Sequence, residues 1–461
     1  MERVRLFFSK NRELFLSEKV TTLLFIILSS VIFIIPRIKI ITEYTLDGDE
    51  LLSWLLIEKS FTGMWAEVYR AVMQPLYYTI LKLWMFISPE NNDYWIRVPG
   101  VALSCLASIL VALQVRKISD WLIATIVFIL FSNLDWVVMT STMSRSYPLL
   151  LFLSSLHVYY FRKVITGTSS SREYNAFTFF SIAILFTHNT SIFYISSCFL
   201  LLVISGPWKK LLEKKINILF LVSLLVYLVV IYFQFINYRS KVSWIGKSSW
   251  DFTYLDPILI TYLISLIFVF FRYKTTNRKL FLFSSVPLVG YFLYLFVDTF
   301  LMSIFVQRYF VVFYPLMTLV IAEFIRSLMN ANIGKVIMLL VVSIQFGSYR
   351  ITPYRDFYEY KIDYKHFFKN LKEREVINNH TSVQCVVIDS YEAVLSPYSK
   401  MYLGRDVCNY VSEGVKLEAD IIIINDISKA KILMSDLNLA DNVKYRPLVV
   451  EDNIVAFERY E

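Results

Sequence analysis

Residues Ile216–Phe235 form a run of twenty without a single charge, apolar on nearly every helical face. A helix of that length is about 30 Å long, the thickness of a bilayer's hydrocarbon core. An apolar surface all the way round cannot be satisfied by one buried stripe, so lipid is its natural surrounding. Similar runs recur at Val20–Ile35, Val98–Val115, Leu122–Val138, Tyr147–Phe161, Phe177–Phe186, Ile192–Ile204, Ile258–Phe271, Leu280–Phe296, Tyr309–Ile325 and Val336–Phe346. With 57% of its 461 residues hydrophobic, the chain has too little polar surface for a soluble domain. The expectation is a polytopic α-helical membrane protein of about eleven spans over residues 1–347.

Charge fixes the expected orientation. The net charge of +9 is spread over short clusters between the apolar runs, as the positive-inside rule requires, and is not a patch for nucleic acid. Met1–Lys19, with Arg3, Arg5, Lys10, Arg12 and Lys19, is expected in the cytoplasm. Pro75–Ser88 is only 14 residues long and contains Lys82, so it reads as a surface or re-entrant helix. With that segment uncrossed, Arg116-Lys117, Arg162-Lys163, Lys209–Lys215 and Arg272–Lys279 all fall inside, and the C-terminus falls outside. Crossing it would put nearly every basic cluster outside.

The 11 glycines supply no Gly-rich phosphate loop, which argues against ATP-driven transport. Val20–Ile35 is followed by Pro-Arg-Ile-Lys, not by a small-residue cleavage site, so no cleavable signal is expected. Cys105 and Cys198 lie in apolar runs, whereas Cys385 and Cys408 lie in polar sequence and are able to pair if that region is outside the cell.

Just after the first run comes Tyr44-Thr-Leu-Asp47-Gly-Asp49-Glu50, three carboxylates in four residues. A charge at mid-bilayer costs roughly 2.5–3.5 kcal/mol on insertion scales, so this cluster belongs at the membrane surface. It serves either an ionic task, as a proton acceptor or cation site, or simply as the polar start of a helix over Leu51–Lys59. Leu51–Tyr69 reads as one amphipathic interfacial helix. From Ser348 the sequence turns polar. Short strands at Val383–Asp389, Ile421–Asn425 and Leu448–Glu451 alternate with helical patterns at Tyr391–Met401 and Ile427–Leu437, which predicts a small extracytoplasmic α/β domain over residues 348–461.

Arg97, Arg145, Lys241 and Arg308 fall at the outer ends of runs. Singly each is a snorkelling anchor; together with the carboxylates they would form an anion site, since guanidinium grips phosphate bidentately. His188 sits at an outward turn, as a packed residue or a ligand. Trp54, Tyr77, Tyr78, Trp84 and Trp95 crowd the first loop, as interfacial belt residues or a surface for a sugar.

The order Asp49-Glu50, Gln74-Pro75-Leu76-Tyr77-Tyr78, Arg97-Val98-Pro99, Arg145-Ser146-Tyr147, Thr187-His188, Arg308-Tyr309 and Pro315 resembles the GT-C superfamily. More narrowly it is similar to the membrane glycosyltransferases related to protein O-mannosyltransferases and the lipid A aminoarabinose transferase. The resemblance spans roughly Val20–Arg326. It departs at Met73-Gln74, where family members often have His-Pro, and at Met143, where many carry an acidic residue; both departures argue against a metal or substrate contact there. The resemblance implies sugar transfer from a polyprenyl-phosphate donor to a hydroxyl acceptor on a glycan, lipid or protein, at the outer face of the cytoplasmic membrane. Asp49 would be the base, with Asp47 and Glu50 as the other catalytic candidates. Arg145, Arg308 and Arg97 would hold the donor phosphate, and Tyr77, Tyr147 and His188 would contact substrate. No cofactor is indicated, although the resemblance leaves room for a divalent cation. The alternatives are a transporter or flippase of a lipid-linked or anionic solute, and a non-catalytic scaffold.

Overall fold

The structure is a computed structural model that describes residues 18–88, 93–206, 215–238, 257–273, 277–300, 304, 306–329, 364–374, 381–386, 401, 403, 408–411, 421–424, 444–451 and 454–460. The chain divides into two compact units. One comprises Met1–Lys39, Ser60–Leu81 and Arg97–Tyr349; the other comprises Ile40–Lys59, Lys82–Ile96 and Arg350–Glu461.

The first helix, α1, runs Glu18–Glu43 and carries Pro36 inside it, so it does not stop at Ile35 as hydropathy suggests. It continues because Arg37, only 1% exposed, is hydrogen-bonded by its neighbours. Its Nη1 donates to the Phe33 carbonyl at 2.9 Å, its Nε to Ser141 Oγ at 2.9 Å, and its Nη2 to the Ser132 carbonyl. The guanidinium also lies 3.6 Å from the Phe33 ring centroid.

The expected single helix over Leu51–Tyr69 is two helices, α2 (Gly48–Glu58) and α3 (Phe61–Arg70). The break is chemical: Ser60 Oγ accepts from Gly63 N at 3.2 Å and starts a new helix. α4 (Pro75–Met85) has 11 residues, too short to cross a bilayer, in line with the surface or re-entrant reading. A 3₁₀ turn at Trp95–Arg97 leads into α5 (Val98–Arg116).

The expected span Leu122–Val138 is a bent pair, α6 (Trp121–Ser132) and α7 (Asp135–Ser141), turned by 66°. Then come α8 (Tyr147–Thr166), α9 (Ser171–Leu185), α10 (Ser191–Ser205), α11 (Lys215–Tyr238) and α12 (Pro257–Tyr273). The run Leu280–Phe296 is also bent, into α13 (Arg278–Ser284) and α14 (Val286–Phe300) at 42°. A 3₁₀ segment at Gln307–Phe313 precedes α15 (Tyr314–Met329). Among the described residues, four helices are long and apolar enough to cross a membrane, and the two bent pairs raise that to six. The run Val336–Phe346 lies outside the described residues.

Small residues bring α5 against its neighbours. Gly100, Ser104, Ala107, Ser108, Val111, Ala112 and Val115 are buried at helical spacing, a pattern that lets backbones approach in lipid. A Cβ on Gly100 would lie 3.0 Å from the carbonyl oxygens of both Ser141 and Met143. Buried His157 ties three helices together, its Nδ1 2.8 Å from Tyr194 Oη and its Nε2 2.9 Å from Ser181 Oγ.

The ends of this unit are sorted by charge. Arg326 donates to the Ile118 carbonyl, Lys279 to the Thr166 carbonyl at 3.3 Å, Lys163 pairs with Glu173, and Arg272 bonds Ser327. These contacts join the basic ends of α5, α8, α12, α13 and α15, which the alternating topology expects on one side.

In the other unit, Asp47 and Glu50 form a reciprocal capping box on α2: Glu50 N donates to Asp47 Oδ1 at 2.7 Å and Asp47 N to Glu50 Oε2 at 3.0 Å. Lys82 Nζ caps the far end, donating to the Ile57 and Lys59 carbonyls at 2.6 Å each. Trp84 and Trp95 stack at 4.7 Å. Strands β1 (Val383–Val386), β2 (Asn409–Val411), β3 (Ile421–Ile424), β4 (Lys444–Glu451) and β5 (Ile454–Tyr460) build a mixed sheet of order β2-β1-β3-β5-β4. β1 is parallel to both β2 and β3, whereas β5 is antiparallel to β3 and β4. Cys385 and Cys408 are joined in a disulfide. The α16 helix (Tyr364–Glu373) buries Phe367, Phe368 and Leu371. The helical patterns at Tyr391–Met401 and Ile427–Leu437 lie, apart from Met401, outside the described residues.

Candidate active site

The turn between α9 and α10 is the centre of the larger unit's polar end. Asn189 holds it. Its Oδ1 accepts from Gln74 Nε2, its Nδ2 donates to the Val72 carbonyl at 2.6 Å, and its own carbonyl accepts from Tyr227 Oη at 2.7 Å. Val72 takes φ = 56°, a left-handed conformation costly for a β-branched residue. It closes a Schellman end on α3, with Met73 N on the Val68 carbonyl at 2.9 Å and Val72 N on the Tyr69 carbonyl at 3.1 Å. That reversal delivers Gln74 to Asn189. Gln234 Nε2 fixes the same segment from α11, donating to the Tyr69 and Met73 carbonyls at 3.2 and 3.1 Å.

Beside Asn189, His188 is set by its neighbour: Thr190 N donates to Nδ1 at 3.3 Å and Thr190 Oγ1 lies 2.8 Å away. An Nδ1 that accepts leaves the proton on Nε2. The imidazole packs 5.4 Å from the Tyr147 ring and 4.7 Å from the Tyr309 ring, and the two tyrosine rings stack at 6.1 Å. The Arg308 guanidinium lies 5.8 Å from the Tyr147 centroid and 6.0 Å from that of Tyr309. Burial pushes the His188 pKa down to about 3, helped by the positive charges of Arg145 and then Arg308. The turn is therefore neutral imidazole beside two guanidinium groups, 163 residues apart in sequence.

Local structure explains how they arrive. Arg145 lies in the Thr142–Ser146 turn, whose residues Thr142, Met143 and Ser144 are fully buried and which abuts Gly100. Tyr147 opens α8 with Pro148 in its first turn. Arg308 follows a connection shaped by Asp298, whose Oδ1 accepts from Ile304 N at 2.7 Å, and by Tyr294 Oη, which accepts from Val306 N at 3.2 Å.

Of the residues expected from sequence, Arg145, Arg308, Tyr147 and His188 come together. Tyr77 is a buried ring, 1% exposed and edge-on to Tyr78 at 5.3 Å. Arg97 is fully buried at the start of α5. The carboxylates belong to the other unit: Asp47 and Glu50 are buried in the capping box, while Asp49 is half-buried in the first turn of α2. Two of the three acids start a helix, as the helix-start reading of that stretch expects. Lys241 lies outside the described residues. Among the described residues no three His, Cys, Asp or Glu side chains are grouped as metal ligands. Asn189 and Thr190 are not among the residues expected from sequence, and Tyr309 enters there only beside Arg308 in a motif; their nearest signal is the adjacent Thr187-His188.

No family model and no curated protein matches the sequence. Solved structures do. ArnT from Cupriavidus metallidurans bound to undecaprenyl phosphate superimposes with a TM-score of 0.59 at 10% identity, over 96% of this chain and 98% of that one. The chain shares the fold of that structure. ArnT of the same organism in the apo state gives 0.49 at 9% identity over 84% and 87% of the two chains. The Archaeoglobus fulgidus oligosaccharyltransferase, in complex with zinc and sulfate, gives 0.41 at 10% identity over 83% and 64%. The likeness in fold to the undecaprenyl phosphate-bound ArnT structure thus extends over nearly the whole chain, beyond the Val20–Arg326 that the short motifs span.

Proposed function

We propose that this chain transfers a sugar from a polyprenyl-phosphate-linked donor to a hydroxyl acceptor on a glycan, lipid or protein, at the outer face of the cytoplasmic membrane. The observation that carries this reading is the convergence of Arg145 and Arg308 on His188, in a fold shared with a protein crystallised bound to undecaprenyl phosphate.

In this reading Asp49 takes the proton of the acceptor hydroxyl, and the oxygen attacks the anomeric carbon. The bond from that carbon to the phosphate oxygen breaks, and the phosphate leaves with the bonding electrons. By family analogy the anomeric centre inverts. A positioned base contributes about 10²–10⁴-fold to such a step. Asp49 is the choice among the three acids by family analogy; Asp47 and Glu50 cap α2 through backbone N–H groups. The leaving phosphate gains charge, which preorganised guanidinium groups stabilise. Arg145 and Arg308 fill that role, with Arg97 as the third candidate and Tyr147 and His188 as substrate contacts.

The test separates binding from chemistry. Undecaprenyl phosphate binding to the purified protein should weaken by about tenfold or more in Arg145→Ala and Arg308→Ala, since a charge-assisted hydrogen bond contributes about 1.5–3 kcal/mol. Asp49→Asn should keep that binding and abolish transfer to envelope acceptors. Unchanged transfer in Asp49→Asn would remove the base from the scheme and favour a transporter.

A further inference from the structure

Arg37 lies in α1, 1% exposed, and the sugar-transfer reading gives it no role. A snorkelling anchor would carry its charge to the membrane surface. This guanidinium instead bonds two other helices, and its partners have a particular spacing. Nη2 donates to the carbonyl of Ser132, the last residue of α6, and Nε donates at 2.9 Å to the hydroxyl of Ser141, the last residue of α7. Between those partners lie the 66° bend and the whole of α7. The Ser141 hydroxyl in turn donates to the Val138 carbonyl at 2.6 Å. Nε–H and Nη2–H leave one rigid plane at a fixed angle, so the guanidinium sets the distance between its two acceptors. A neutral amide ties two helices at a smaller desolvation cost, as Gln114 of α5 does in donating to the Ser155 carbonyl of α8 at 2.8 Å. What the arginine adds is the fork.

The clamp ends where the Arg145 turn begins. The first two backbone bonds of that turn run from Thr142 N to the Met139 carbonyl and from Met143 N to the Thr140 carbonyl. Each is 3.3 Å long, beyond the usual range of about 2.7–3.2 Å. The carbonyls of Ser141 and Met143 close on Gly100, which blocks a shift toward α5. Long backbone bonds leave the placement of the turn to Ser141, and Ser141 is held by Arg37. We propose that Arg37 is a positioning residue for Arg145: by bridging the end of α6 to the end of α7, it sets where the Thr142–Ser146 turn presents that arginine. For its consequence in carrier binding the proposal rests on the sugar-transfer reading. The placement itself is read at His188, whose pKa is lowered by burial and then by the Arg145 charge.

The full-length protein would be purified with ¹⁵N-labelled histidine, the His188 signal assigned by its loss in His188→Gln, and undecaprenyl phosphate binding measured on the same samples. Ser141→Ala removes one hydroxyl, and Arg37→Lys keeps the charge without the fork. Both should raise the His188 pKa, as Arg145→Ala should, and weaken undecaprenyl phosphate binding by about tenfold, the loss of one hydrogen bond to a charged group. In an Arg145→Ala background, Ser141→Ala should weaken binding no further, because the two changes remove the same contact. Gln114→Met, which also removes a buried tie between helices, should leave both readouts at wild type. An unmoved His188 titration in folded Ser141→Ala, additive losses in the double variant, or an equal shift in Gln114→Met would overturn the proposal. Should Arg37→Lys fail to fold, Ser141→Ala and the double variant decide. A shifted His188 titration in Ser141→Ala, with no undecaprenyl phosphate bound even by wild type, would keep the placement and end the sugar-transfer reading instead.

Discussion

Three carboxylates share four positions at the start of α2, and two of them close its capping box. Asp47 and Glu50 hold the helix terminus through two backbone N–H groups, so Asp47→Ala should cost about 1 kcal/mol, the usual loss of a cap. Asp49→Asn keeps the capping box and should leave the thermal midpoint near wild type while transfer disappears. The pair of measurements, melting and transfer, therefore tells the structural acids from the chemical one. His188 offers a second residue-scale test. Its folded pKa, about 3, lies below the ordinary value of 6.5. Between those values the unfolded chain binds a proton that the folded one refuses. Stability is therefore full above pH 6.5 and falls on acidification, by at most about 1.4 kcal/mol per pH unit from this group. His188→Gln should flatten that part of the pH dependence. Because the two guanidinium charges contribute to the depression, Arg308→Ala should raise the His188 pKa, and so should bound undecaprenyl phosphate. With four histidines in the chain, imidazole ¹⁵N spectra can follow the signal; a His188 indifferent to both changes would separate it from the arginines.

At the scale of elements, the Arg145 turn depends on a glycine that never touches it with a side chain. Gly100→Ala would place a methyl 3.0 Å from two backbone carbonyls, Ser141 and Met143, and backbone cannot rotate away as a side chain can. The expected cost is about 1–3 kcal/mol of overpacking. Transfer should fall further than the stability loss explains, because the displaced segment carries Arg145. Wild-type carrier binding in Gly100→Ala would show that the turn tolerates the shift. This contact also marks what hydropathy reveals and what it hides. Apolar runs locate most helices within a few residues, since the energy of a span is a sum over its residues. They miss the 66° bend at Asn133-Leu134, because two residues barely change that sum, and they miss the restart at Ser60, which is a hydrogen-bonding event. They end α1 too early, because the burial of Arg37 rests on Ser141, 104 residues away. The site was legible in the same uneven way. Short motifs flagged Arg145, His188 and Arg308, but Asn189 acquires its role only through Gln74 and Val72, which reach it through the strained reversal after α3.

For the whole molecule, sidedness is the property on which the proposed chemistry rests, and the cysteines make it measurable. Cys385 and Cys408 are bridged, a pairing that persists in oxidising compartments and closes a loop that contributes about 3 kcal/mol in the chain-entropy account. Cys105 and Cys198 are buried. The native chain should thus be silent to a membrane-impermeant maleimide, and a single introduced cysteine reports its own side. Thr168 lies at the basic end, near the Lys279 contact to Thr166, while Ile304 lies in the connection that leads to Arg308. In intact cells Ile304→Cys should label and Thr168→Cys should not, until the membrane is permeabilised. Reduction before labelling should uncover Cys385 and Cys408 from outside. The reverse pattern would put the guanidinium pair in the cytoplasm, where the positive-inside rule would have to be broken by Arg116-Lys117, Arg162-Lys163 and Arg278-Lys279 together. Each of those clusters sits at the basic end of the larger unit, so one labelling experiment fixes which face carries the transfer.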